Sequence, residues 1–204
     1  MSCSTPSKNL LPDARSASLD RRALLGWAGA TLLGVSARAQ TQAGATTAPP
    51  EIQTELPGAR WSGTSRMRFF GFEIYDATLW VAPGFNARAY HEHGLALSLT
   101  YLRAFKGRDI AERSVQEMRR QGTLDAALES RWLAAMQTAF PDIQAGERLT
   151  GLHLPGAGAR FWHQGKSRAD VRDPEFSRRF FGIWLAENTS DAQLRSALLQ
   201  RASA

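Results

Sequence analysis

The pattern of hydrophobic and polar positions predicts strands in the first half of the chain and near residue 155. Residues 66–82 are rich in aromatic and β-branched side chains and show no helical stripe, which favours extended structure with a bend at Gly71. Hydrophobic and small residues then alternate over residues 95–101, which is the period of a strand. Residues 149–154 and 159–163 flank a turn that contains Pro and Gly, so they predict a hairpin.

Helices are predicted between and after these strands. A capping-box pattern at residues 109–112 indicates the start of one helix, and Pro141 indicates the end of the next. Asp173, followed by a proline, predicts the N-terminus of a third helix, and a capping pattern at residues 190–193 predicts a fourth. Strands joined by short turns and helices in pairs favour an α+β fold, with an antiparallel sheet packed against a layer of helices.

The first 39 residues have the pattern of a secretory signal peptide. Arg21 and Arg22 precede a short apolar stretch at residues 23–35, and Ala37 and Ala39 supply small side chains at a cleavage site. The paired arginines favour the twin-arginine export route, and general secretion stays open as the alternative. We therefore expect a periplasmic protein that is cleaved near Ala39.

Cleavage changes the charge and the chemistry of the chain. The full chain of 204 residues has a formal net charge of +6; residues 1–39 hold five basic and two acidic side chains, so the remainder keeps +3. The only cysteine, Cys3, is removed as well, which excludes disulfides and thiolate sites. Basic residues are scattered, which argues against a nucleic-acid partner. Residues 40–58 predict a flexible tether and residues 59–204 a single domain.

Arg66 and Arg68 are the most distinctive candidate residues, because they lie in an otherwise apolar strand. Residues two apart share one face of a strand, and a buried guanidinium must be paired or reach water. Two interpretations stay open. The arginines pair with internal acids such as Glu73 or Asp76 or are exposed on the open side of the sheet, or they hold an anion at the mouth of an apolar cleft.

Tyr75 and Tyr101 are the hydroxyls that can stand beside such an anion site. Other catalytic patterns are weaker, since no Gly-x-Ser-x-Gly elbow occurs. The histidine pair within residues 91–93 suggests a metal site with His153 or His163, but its spacing matches no zinc motif. We predict neither a metal nor a cofactor, and no apolar run approaches the roughly 20 residues of a membrane-spanning helix.

Six motifs follow one another between about Gly63 and Leu199. They are residues 68–80, 99–103 with 107–114, 117–122, 140–142, 146–151 and 173–185. In order and spacing these motifs resemble the bacterial branch of the chalcone isomerase-like family. The resemblance implies an antiparallel sheet packed against helices, with a ligand cleft between the two layers.

The same resemblance implies roles for individual residues. In enzymes of the family, an arginine steers a phenolate while a threonine and a tyrosine polarise a ketone; in non-catalytic relatives, an arginine and a tyrosine bind the carboxylate of a fatty acid. Arg66 or Arg68 fits the arginine, the threonine falls near Asp76, or on Thr78 if the register shifts, and the tyrosine falls on Ile110. Because isoleucine donates no hydrogen bond, the resemblance implies a protein without chalcone isomerase activity.

These observations favour an exported, non-catalytic protein that binds a small apolar anionic ligand such as a fatty acid. Two alternatives stay open: an isomerase of the intramolecular lyase type with a periplasmic substrate, and a structural or partner-binding module whose cleft is filled. The oligomeric state is open, and a monomer is compatible with the sequence.

Overall fold

The computed structural model describes residues 47–202. The predicted signal peptide, residues 1–39, and residues 40–46 of the predicted tether lie outside the described residues. The described chain has the predicted α+β fold, with a six-stranded antiparallel sheet in which each strand lies beside the next one in the sequence. The strands are β1 (Arg60–Phe69), β2 (Phe72–Val81), β3 (Leu95–Tyr101), β4 (Arg148–Leu154), β5 (Gly158–His163) and β6 (Lys166–Val171).

Five helices accompany the sheet in the described residues. One precedes the first strand, two connect β3 to β4, and two follow β6, while a short 3₁₀ segment at Ala87–Glu92 connects β2 to β3. None of them is long and apolar enough to cross a bilayer within residues 47–202. The helices are α1 (Pro50–Glu55), α2 (Gly107–Arg119), α3 (Ala126–Ala139), α4 (Pro174–Leu185) and α5 (Ala192–Leu198).

Two-residue turns close the β1–β2 and β5–β6 hairpins. Phe70 and Gly71 form the first turn with φ values of 48° and 80°, and Gln164 and Gly165 form the second with 51° and 74°. Positive φ at both positions is the conformation whose twist matches that of paired strands. Strand β6 was not predicted from the sequence, because its residues are exposed or half-buried and give no hydrophobic stripe.

The main hydrophobic core lies on one side of the sheet, here called the inner face, and is covered by α2, α3, α4 and α5. The alternation predicted for β3 is confirmed, since Leu97, Leu99 and Tyr101 all enter this core. Helix α4 contributes stacked aromatic rings, including Phe176 and Phe180 at 5.6 Å between centroids. Burial of these rings is the main source of attraction between sheet and helices.

Helix α1 covers the opposite side of the sheet, the outer face, which differs from the flexible tether predicted over residues 40–58. Ile52 is 1% exposed and belongs to a second hydrophobic cluster on this face. Glu51 Oε1 accepts hydrogen bonds from Arg148 Nη2 at 3.0 Å and from Thr150 Oγ1 at 2.9 Å. One apolar and one acidic side chain thus fasten a segment whose proline-rich, polar composition indicated no structure.

The start of α2 also differs from the prediction, because the capping box at residues 109–112 does not form. The helix begins at Gly107, whose N–H donates to Asp142 Oδ1 at 3.0 Å, and Lys106 Nζ donates to Asp142 Oδ2 at 2.7 Å. A Cβ at Gly107 would collide with the carbonyl oxygen of Phe140. The cap is therefore supplied by a residue that follows α3, which local sequence does not indicate.

The other two helix starts follow the sequence closely. Asp173 caps α4 as predicted, with Oδ1 accepting from Phe176 N at 3.0 Å. Asp191 caps α5 by accepting from Leu194 N at 2.9 Å, one residue after the predicted Ser190. Both carboxylates also lie at the positive end of a helix dipole, which adds to the stabilisation.

A candidate ligand cavity between sheet and helices

An apolar cavity of about 380 Å³ lies between the inner face and helices α2, α4 and α5. Its volume falls within the range of roughly 300–1,000 Å³ that small-molecule sites occupy. The sheet side is formed mainly by Met67, Phe69, Ile74, Tyr75, Leu99, Tyr101 and Leu149. The helices and loops add Phe105, Asp109, Ile110, Arg113, Ser114, Glu117, Phe140, Phe180, Ile183, Trp184, Thr189, Ser190, Asp191 and Leu194.

Strand register brings the two candidate tyrosines together in this cavity. Tyr75 pairs with Met67 on one side and with Tyr101 on the other, so the three side chains form a row across β1, β2 and β3. A β-bulge leaves Ile74 unpaired, which allows Ile74 and Tyr75 both to line the cavity. The tyrosine rings meet edge to face, with centroids 5.6 Å apart.

The two tyrosine hydroxyls differ in their partners. Tyr75 Oη accepts a hydrogen bond from Trp184 Nε1 at 3.0 Å, which leaves the tyrosine O–H free to donate. Tyr101 is 3% exposed, and its hydroxyl has no hydrogen-bond partner among residues 47–202. Burial raises the pKa of Tyr75 to about 12 and also raises the pKa of Tyr101, with a smaller contribution from Tyr75. Both groups therefore stay neutral and can donate to an oxygen acceptor within an apolar cavity.

Arg66 and Arg68 lie on the outer face, away from the cavity, which contradicts the interpretation of an anion site there. Arg66 binds Asp76 through two hydrogen bonds of 2.7 and 2.8 Å and Glu73 through one of 2.9 Å. Arg68 Nη2 donates to Glu73 Oε1 at 2.8 Å. These contacts raise the pKa of Arg66 and, through Arg68 first and Arg66 second, lower the pKa of Glu73. The alternative interpretation, pairing with internal acids, is the correct one.

The guanidinium that does line the cavity belongs to Arg113 of α2, which the sequence did not single out. Its Nη2 donates to Glu117 Oε1 at 2.6 Å, and its guanidinium lies 4.9 Å from the ring centroid of Phe69. Asp109 and Asp191 also line the cavity. The cavity lining thus holds three carboxylates and one guanidinium that is already paired, a charge balance that does not favour an anion. In the sequence, Arg113 and Glu117 show only the i,i+4 spacing of an ordinary helix surface pair.

Two positions that the resemblance assigned to catalysis are also placed by the structure. Ile110 lines the cavity, and no hydroxyl stands there. Asp76 lies on the outer face, where it binds Arg66. Thr78, the alternative position of the family threonine, pairs with Thr64 at 3.2 Å between hydroxyls, also outside the cavity lining.

The histidines do not assemble a metal site within residues 47–202, where no group of three or more ligating side chains occurs. His153 Nε2 lies 2.9 Å from the backbone oxygen of His91, which can only accept, so this nitrogen carries the proton. His153 Nδ1 then accepts from Ser177 Oγ at 2.6 Å. His163 Nε2 instead contacts Glu147 at 3.1 Å.

Comparisons with known proteins agree with this architecture. The sequence profile of the chalcone isomerase-like family matches residues 56–200. An uncharacterised protein of Haemophilus influenzae is 29% identical over 145 residues, which cover 70% of each chain. A crystal structure of a fatty-acid-binding protein from Arabidopsis thaliana shares the fold with a TM-score of 0.56 and 13% identity, over 72% of this chain and 89% of that one. The family resemblance is confirmed, and the chain belongs to the chalcone isomerase-like family.

Proposed function

We propose that this protein is a non-catalytic binding protein for a small apolar ligand with an oxygen-containing head, and that a fatty acid is the first candidate. The observation that carries the proposal is the unpartnered hydroxyl of Tyr101 beside Tyr75 in a mainly apolar cavity. The Arabidopsis thaliana protein with the same fold supports the choice, because it is a fatty-acid-binding protein.

The acyl chain and the head of the ligand contribute to the binding free energy in different ways. The acyl chain gains about 0.8 kcal/mol for each CH₂ group that leaves water. The head accepts hydrogen bonds from Tyr75 and Tyr101, and Trp184 holds Tyr75 in place by donating to its oxygen. Neutral tyrosine donors therefore take the place of the arginine that the sequence suggested for the head of the ligand. Arg113, the arginine that lines the cavity, already donates a hydrogen bond to Glu117.

A cavity without a free cation prefers a neutral head to an ionised one, because an ionised carboxylate loses its hydration on entry. We therefore expect affinity for a fatty acid to fall as pH rises above the pKa of the free acid and to level off above the pKa of the bound acid. A fatty-acid methyl ester, which cannot ionise, should bind with an affinity that is independent of pH over the same interval.

Native mass spectrometry of the delipidated protein with palmitate tests the proposal. We expect a complex of one protein with one ligand, and we expect Ile183→Trp to abolish it by filling the cavity. Ile183→Leu, which keeps the volume of this lining residue nearly constant, is the matched control and should bind normally. Absence of a palmitate complex, or equal binding by both variants, would contradict the proposal.

The proposal includes export to the periplasm, which rests on the pattern of residues 1–39. We expect cell fractionation to recover a periplasmic chain that begins near Gln40. Replacing Arg21 and Arg22 together by Lys should leave uncleaved precursor if the twin-arginine route is used. Normal export of this variant would instead favour general secretion, and an uncleaved wild-type chain would contradict export.

A further inference from the structure

The turn between β1 and β2 exposes three aromatic rings, which we call the hairpin tip: Phe69, Phe70 and Phe72. They are 43%, 85% and 58% exposed, and they are the large hydrophobic side chains that the described part of the chain leaves exposed. Single exposed hydrophobic residues are ordinary, but a group of three at one protruding turn indicates a surface for binding.

The backbone at the hairpin tip adds an independent observation. Phe70 has a φ of 48°, a conformation that glycine and asparagine adopt easily and that an aromatic residue adopts with strain. Its ring packs only edge to face on Phe69, at 4.5 Å between centroids. A strained position that holds a nearly fully exposed ring gains nothing for the fold, which is typical of a functional residue.

The hairpin tip is continuous with the ligand cavity. Phe69 belongs both to the tip and to the cavity lining, and the Arg113 guanidinium lies over its ring. Phe72 is the cross-strand partner of Phe69, and the Arg103 guanidinium lies 4.5 Å from its ring centroid. Arg103 is exposed and has no carboxylate partner among residues 47–202, so it is available to a phosphate.

The size of the hairpin tip indicates which partner it fits. The three rings together expose less than the surface of two whole phenylalanine side chains, or roughly 400 Å². A stable interface between proteins buries about 1,200–2,000 Å² in total, or about 600–1,000 Å² on each partner, so the tip alone is too small for a second copy or another protein. A protruding apolar tip beside a guanidinium instead suits the headgroup region of a bilayer, where an apolar surface is buried about 5–10 Å deep.

We propose that the hairpin tip inserts into the surface of a phospholipid bilayer, with Arg103 on a lipid phosphate, and that acyl ligands pass between bilayer and cavity over Phe69. The second half rests on the proposed function, whereas the first half does not. The other cations near the tip, Arg68 and Arg113, are paired with acids. Burial of the rings, rather than electrostatic attraction, is therefore the main contribution to membrane binding, and we expect this binding to depend weakly on salt.

Flotation of residues 40–204 with phosphatidylethanolamine–phosphatidylglycerol vesicles tests the proposal, since the described part of this fragment contains both hydrophobic clusters. Phe70→Asn removes the ring while placing a residue suited to positive φ at the turn. We expect this variant to lose at least about tenfold in vesicle partitioning, because burial of one phenylalanine is worth that factor or more. Its melting temperature should equal or exceed that of the wild type.

Gln164→Asn is the matched control, because Gln164 occupies the corresponding positive-φ position of the β5–β6 turn. It should float like the wild type. A wild-type fragment that does not float, or a Phe70→Asn variant that floats equally well, would overturn the proposal. Dimerisation in sedimentation experiments that depends on Phe70 would also overturn it, in favour of a second copy as the partner.

A vesicle-free palmitate titration separates this proposal from the proposed function. We expect Phe70→Asn to bind palmitate with wild-type affinity and to acquire it from vesicles more slowly. Flotation without palmitate binding would refute ligand binding and keep membrane docking. Palmitate binding without flotation would refute docking and keep ligand binding.

Discussion

Tyr101→Phe separates a ligand-binding role of the cavity from a structural one. The change removes a hydroxyl that has no hydrogen-bond partner among residues 47–202 and keeps the ring contacts with Tyr75 and Phe105. Because no protein hydrogen bond is lost, the free energy of unfolding should change by less than about 1 kcal/mol. If the hydroxyl instead stabilised the fold, its removal would lower the free energy of unfolding by more than this amount.

The effect on ligand affinity follows from the hydrogen bond that the bound head loses. A bond to a neutral head is worth about 0.5–1.5 kcal/mol, so palmitate should bind about 2- to 13-fold more weakly at a pH where it enters protonated. A bond to an ionised head is worth about 1.5–3 kcal/mol, which corresponds to about 13- to 160-fold. The measured factor therefore also reports the charge of the bound head.

Tyr75→Phe is the informative comparison. It leaves Trp184 Nε1, which donates to Tyr75 at 3.0 Å, without its acceptor, and a buried unpaired donor costs about 1–3 kcal/mol. This variant should lose both stability and affinity, whereas Tyr101→Phe should lose affinity alone. Urea denaturation and isothermal titration calorimetry with palmitate measure the two quantities. Unchanged affinity of Tyr101→Phe together with a stability loss equal to that of Tyr75→Phe would refute the reasoning.

Three further changes test the assignment of faces and the outer cluster. Arg66→Ala should leave palmitate affinity in calorimetry within about twofold, because Arg66 faces away from the cavity; a larger loss would place the ligand elsewhere. Ile52→Ala should lower the free energy of unfolding in urea by about 2–4 kcal/mol, whereas a flexible tether would show no change. Burial lowers the pKa of His153, so the contribution of this side chain to stability is present above about pH 6.5 and is lost as pH falls. In urea denaturation, the free energy of unfolding of the wild type should therefore fall below this pH, whereas that of His153→Gln should lack this loss.

Local signals succeeded where they act within a few residues. The period of two in residues 95–101 predicted β3, and Asp173 followed by a proline predicted the start of α4, because strand alternation and helix capping depend on neighbouring residues. The capping box at residues 109–112 failed for the opposite reason. Asp142, more than 30 positions from Gly107 in sequence, supplies the cap and moves the helix start.

The sequence alone determined that Arg66 and Arg68 share one face of a strand, because side chains in a strand alternate whatever the strand packs against. Only the tertiary structure decided that this is the outer face, since helices α4 and α5, more than 100 residues later, cover the other one. The same packing places Tyr75 and Tyr101 in the cavity and leaves Arg66 and Arg68 on the outer face, where they pair with the acids of β2. Periodicity fixes how neighbouring side chains are directed relative to one another, whereas burial of a face depends on contacts that no local pattern contains.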